Sequence, residues 1–95
     1  MKLKLYFAKS KERIIQDIDR ITHADPASYT IGITYDEEKR KGEHKASGKD
    51  VKQWQAWKAK TQEDAQEIEK HFLAKRLKGG TGGDQKESTV FVYIF

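Results

Sequence analysis

Cysteine and asparagine are absent from the 95 residues, and proline and methionine occur once each. Without a thiol there can be no disulfide, no cysteine-based zinc site and no cysteine nucleophile. No stretch approaches the roughly 18 uncharged residues that a membrane-crossing helix needs. The segment Met1 to Arg13 alternates charged and apolar residues and has no signal-peptide h-region, so a cytoplasmic protein without membrane contact is expected. His23, His44 and His71 are not spaced as zinc ligands. The one low-complexity stretch, Gly79 to Gly83, follows a helix C-terminus, where the dipole repels anions, and it is not a Walker motif. A flexible turn is expected there instead.

What is present is charge. Hydrophobic and charged residues each make up 36% of the chain. A single domain over residues 1–95 can bury roughly 65% of its unfolded surface, enough for one modest core. The net charge is +4, from 19 Lys and Arg against 15 Asp and Glu. An excess of that sign draws polyanions in a salt-dependent way, although it also serves simple solubility.

Periodicity divides the chain into seven elements. Lys2 to Phe7 alternates and reads as a half-buried strand. Ser10 caps a helix with Ile14, Ile15, Ile18 and Ile21 on one face, ending before Pro26. Tyr29 to Thr34 reads as a second strand, and Asp36 caps a helix from Glu37 to about Ala46. Trp54 to Lys60 is read as a third strand. Thr61 then opens a helix with a capping box to Asp64, stopped by Gly79 and Gly80. Thr89 to Phe95 is an almost unbroken apolar run, as suits a central strand covered on both faces. The expected class is α+β, with about four mostly antiparallel strands in one sheet and three helices.

Two features call for more than a fold. The helix from Glu37 to Ala46 has almost no apolar residue, so core packing cannot hold it and its polar side chains must be fastened to something. On it, Arg40 and His44 lie one turn apart on a shared face. An arginine fork matches a phosphate and stabilises charge on it. Lys39, Lys41 and Lys45 surround Arg40, and the four are candidate nucleic-acid contacts. The second feature is Glu69, between Ile68 and Phe72 beside the apolar stripe of the third helix. A carboxylate there should be paired, protonated or metal-bound. Taken singly, each has a plainer reading: a solvated helix for the pair, a flank ion pair for Glu69.

The segment from Tyr29 to His44 resembles the GIY-YIG nuclease family from its second motif onward. In that family a strand ending in Ile-Gly or Val-Gly leads into a helix, with an arginine eight residues after the glycine and often a histidine four later. Here Gly32, Arg40 and His44 have those spacings. The family's next helix carries a glutamate four residues after a small residue, as Glu69 follows Ala65. The resemblance covers about half of the chain. It implies a GIY-YIG-like fold acting on nucleic acid, DNA before RNA, by metal-dependent phosphodiester hydrolysis. Arg40 would contact phosphate, Glu69 would hold magnesium, and His44 and Tyr6 would support them. Tyr6 is the nearest candidate for the first-motif tyrosine. Thr30 stands at the second-motif tyrosine position, with Tyr29 beside it, and the family's late asparagine has no counterpart. The alternative is a degenerate member that binds nucleic acid or protein without cutting. A further reading is an unrelated domain offering a sheet edge to a partner strand.

Overall fold

Ser10, Asp36 and Thr61 each accept a hydrogen bond from the backbone N–H three residues on, at Arg13, Lys39 and Asp64. Each thereby starts a helix where the sequence predicts one. The computed structural model describes residues 7–79 and 90–95. Its helices are α1 (Lys11–Thr22), α2 (Glu37–Ala46) and α3 (Gln62–Ala74), and a short 3-10 turn covers Pro26–Ser28. Its strands are β1 (Ile31–Thr34), β2 (Gln55–Lys58) and β3 (Phe91–Ile94). The class is α+β. None of the described helices is long and apolar enough to cross a membrane.

The described residues form a three-stranded sheet in the order β1-β3-β2, antiparallel throughout. About four strands are expected from the sequence. Of the expected first strand, residues 2–6 lie outside the described residues. Beyond Phe7, Lys9 bridges Ala59 in parallel and donates its N–H to the Lys58 carbonyl. The apolar run at Val90 to Phe95 does supply the central strand, with β1 and β2 on either side of β3.

One face of the sheet carries the core. Ile31, Val92, Ile94 and Trp57 pack beneath Ile14 and Ile18 of α1 and Ala65, Ile68 and Phe72 of α3. Phe72, Ile14, Ile18, Ile31, Ile68, Ile94 and Val92 are fully buried. At about 1.5–3 kcal/mol for each large apolar side chain removed from water, this layer is the main source of stability.

The end of α3 departs from the sequence expectation. The helix stops at Ala74, with Lys75 as its cap, so Gly79 and Gly80 do not terminate it. Arg76 adopts φ 79°, and the Arg76 and Leu77 amides bond back to the carbonyls of Leu73 and Phe72. This is the left-handed termination normally given to glycine. It turns Leu77, 4% exposed, back into the core. Lys78 then pairs with β1, donating its N–H to Tyr29 and accepting from Ile31.

Candidate functional site

The other face of the sheet has a different construction. Successive residues of a strand point to opposite sides, so Gly32, Tyr93 and Ala56, cross-strand neighbours, look away from the core. Tyr93 lies across Gly32 so closely that a Cβ at that position would sit 2.3 Å from the phenolic oxygen. Only glycine leaves room for the ring. Trp54 stacks on Tyr93 at 4.3 Å between centroids and 12° between planes, and Phe95 lies nearly parallel to both.

The polar helix α2 covers these rings. Arg40 Nε donates to the Tyr93 hydroxyl at 3.3 Å, and His44 Nε2 lies 2.9 Å from the same oxygen. A guanidinium can only donate, so Tyr93 accepts from Arg40; the phenol either donates to His44 Nε2 or accepts from it as well, according to the imidazole tautomer. His44 also tilts against Phe95 at 4.7 Å. Glu37 turns inward from the first turn of α2, and its Oε1 accepts from the Trp54 indole N–H at 2.5 Å. A helix without an apolar stripe is therefore held by three polar side chains on aromatic partners.

The surroundings shift these groups' proton affinities in consistent directions. Burial, then the charges of Arg40 and Lys49, hold the His44 imidazole below its ordinary value, against the opposing pull of Glu43. His44 is thus kept neutral. Burial raises the Tyr93 phenol; Arg40 partly offsets this, and the charges of Glu69 and Glu43 add to it. Glu69 is 9% exposed, and burial raises its pKa.

Of the residues singled out in the sequence, the structure brings together Arg40 and His44 on Tyr93, whereas Glu69 is buried on α3 beside Ile68 and Phe72 of the core layer, and among the described residues no hydrogen bond or ion pair joins it to that pair. Tyr6 lies outside the described residues. The four cationic candidates do not form one surface. Arg40 and half-buried Lys41 share the inner side of α2 with His44, whereas Lys39, two positions from Lys41, is exposed on the outer side, and Lys45 is exposed on a flank. The Arg40 side chain remains 39% exposed and meets Glu43 through Nη1 at 3.3 Å. Among the described residues no ion pair engages Lys39, Lys41 or Lys45. On the far side of the molecule, by contrast, Lys9 and Arg13 meet Asp17, Lys11 meets Glu67 and Lys75 meets Asp19.

No group of three or more His, Asp or Glu able to hold a metal occurs among the described residues. Glu69 still suits a magnesium ion of the kind that takes one or two protein carboxylates and fills its remaining positions with water and substrate phosphate. Its carboxylate is desolvated by burial. A cavity of about 290 Å³ lies elsewhere, lined in part by Asp19, Thr22, His23, Lys75, Arg76 and Leu77, and none of the predicted site residues borders it.

Sequence reasoning missed Tyr93, Trp54 and Glu37 as parts of one cluster. Two clues were available: an isolated hydroxyl within an apolar central strand, which needs a partner when buried, and a polar helix in need of fastening. Comparison with protein-family models, with curated proteins and with solved structures gave no match to this chain.

Proposed function

We propose that this is a GIY-YIG-like domain that acts on nucleic acid, hydrolysing a phosphodiester with the help of a divalent metal. The observation that supports it best is the meeting of Arg40 and His44 on the Tyr93 hydroxyl above Gly32. The resemblance puts its two tyrosines at Tyr6 and at the position of Thr30, so Tyr93 is an addition to the motif as read from the sequence. Here β3, the last strand in the sequence, pairs with β1 and supplies Tyr93 opposite Gly32.

In this reading the chain's groups divide the work. Arg40, oriented through Nε by Tyr93 and partly exposed, turns its terminal nitrogens to a phosphate and stabilises the charge that builds during transfer. His44, engaged through Nε2 by the Tyr93 hydroxyl, supports the placement of Arg40. Tyr93, 3% exposed, is a positioning residue that fixes both. Glu69 would hold magnesium, which supplies an activated water and neutralises phosphate charge. Hydrolysis by water would break one P–O ester bond and leave a phosphate monoester and an alcohol.

The test is incubation of the purified protein with duplex, branched and single-stranded DNA and with RNA, in magnesium or manganese. Cleavage is expected, falling about 100- to 1,000-fold in Arg40→Ala and lost in Glu69→Ala. Absence of cleavage on every substrate and metal would remove the hydrolytic reading.

One observation favours binding without cleavage. The Tyr93 hydroxyl is enclosed, with Arg40 and His44 both bonded to it, as befits a cluster that shapes a surface. The lysines on α2 without acidic partners suit a phosphate backbone. This reading expects log affinity to fall linearly with log salt, and Arg40→Glu to weaken binding. Unchanged affinity in that variant would exclude it.

A further inference from the structure

Glu37 is spent in an unusual way. A glutamate in the first turn of a helix gains from the dipole while remaining in water, as its exposed neighbour Glu38 can. Glu37 instead is 4% exposed, and its Oε2 is buried without a hydrogen-bond partner. Burial of a carboxylate oxygen with nothing to receive is costly, and α2 already has its N-cap at Asp36. The gain must lie where the other oxygen points, at the indole of Trp54.

We infer that Glu37 is a positioning residue for the Arg40–His44 pair, acting through Trp54 and Tyr93. The indole is fixed twice, by its N–H on Glu37 and by its face on the phenol ring. With Trp54 immobile, Tyr93 is confined between that ring and the backbone of Gly32, and its hydroxyl has one place to go. There it meets Arg40 and His44. The linkage runs Glu37 to Trp54 to Tyr93 to His44 and returns to α2 two turns from its start. The helix thus orients its own functional side chains through the sheet. The inference deepens the proposed function, and its consequence for cleavage rests on that reading; its structural part does not.

The readout is the ¹⁵N spectrum of the His44 imidazole. In the wild-type protein Nε2 is held 2.9 Å from the phenol oxygen, so a single tautomer, fixed by that bond, is expected. Glu37→Ala and Trp54→Phe, the second keeping a stacking ring without the N–H, should each give mixed tautomers. Combined, they should do no more than either alone, since both cut one linkage. Glu37→Gln, whose amide oxygen still accepts the indole N–H, should restore the single tautomer. If cleavage is found, the rate at saturating nucleic acid should fall about tenfold in both variants with KM unchanged. A single tautomer persisting in folded Trp54→Phe overturns the inference, as does wild-type behaviour in Glu37→Ala. Absence of cleavage with the tautomer changes intact overturns the nuclease reading alone.

Discussion

Ile31 and Gly32 are neighbours in β1, yet they look onto two differently built halves of the molecule. Ile31 enters a layer of aliphatic and aromatic side chains from α1 and α3, where nearly every residue is fully buried. Gly32 faces a tyrosine, a tryptophan and a helix that contributes arginine, histidine and glutamate. The first face is non-directional and tolerates any filling of the right volume. The second depends on a few directed bonds whose partners can be named atom by atom. Apolar packing is concentrated on one side and directed polar bonds on the other. The ion pairs follow the same division, since the acids that neutralise surface lysines lie with α1 and α3.

The largest test of that contrast is on the apolar face. Phe72→Ala should cost about 3–5 kcal/mol in urea or thermal unfolding, with the resonances of the Tyr93 cluster unchanged in the fraction that remains folded. Gly32→Ala should cost less, about 1–3 kcal/mol by overpacking, but it should displace Tyr93 and abolish the Arg40 and His44 contacts together. If that variant retains wild-type nucleic-acid affinity and cleavage, the polar face is not a site.

A pH titration sharpens the comparison further. The folded pKa of His44 lies below its ordinary value of 6.5, so between the two the unfolded chain binds more protons. Stability from this group is complete above 6.5 and declines as the pH falls through that value toward the folded pKa. Urea midpoints should therefore drop between pH 7.5 and 5.5, and His44→Gln should lessen the drop. Glu69 runs the other way: its folded pKa is raised, so its penalty grows as pH rises through the carboxylate range. Glu69→Gln should accordingly raise the melting temperature at pH 7.5 while removing metal-dependent cleavage. The smallest effect is expected at Arg76. Glycine there relieves the left-handed backbone and should add about 0.5 kcal/mol after its own entropy cost, without touching the polar face.

Local signals in the sequence were sufficient for local structure. The three caps at Ser10, Asp36 and Thr61 gave three helix starts, and the spacing of Ile14 and Ile18 gave a buried face, because both depend on residues three or four apart. The span Glu37 to Ala46 is found as read. The end of α3 was misread because Arg76 adopts a conformation that sequence rules assign to glycine. Trp57 lies on the strand read at Trp54 to Lys60, which runs Gln55–Lys58, whereas Trp54 falls just before it; Trp57 joins the core and Trp54 stacks on Tyr93. Arg40, His44 and Glu69 were found by spacing, whereas Tyr93 was not. Its bond to Arg40 spans 53 positions, and only the sheet register decides which strand lies against Gly32.

The strand order has a consequence for the timing of synthesis. β1 and β2 do not pair with each other; each has β3 as its partner, and β3 comes last of the three in the sequence. While a ribosome is still making residues 59 to 90, both earlier strands are without that neighbour and Arg40 and His44 are without the phenol they grip. The nascent protein therefore carries its helices well before it carries a working surface. Completion of one short segment closes the sheet and assembles both faces in the same event.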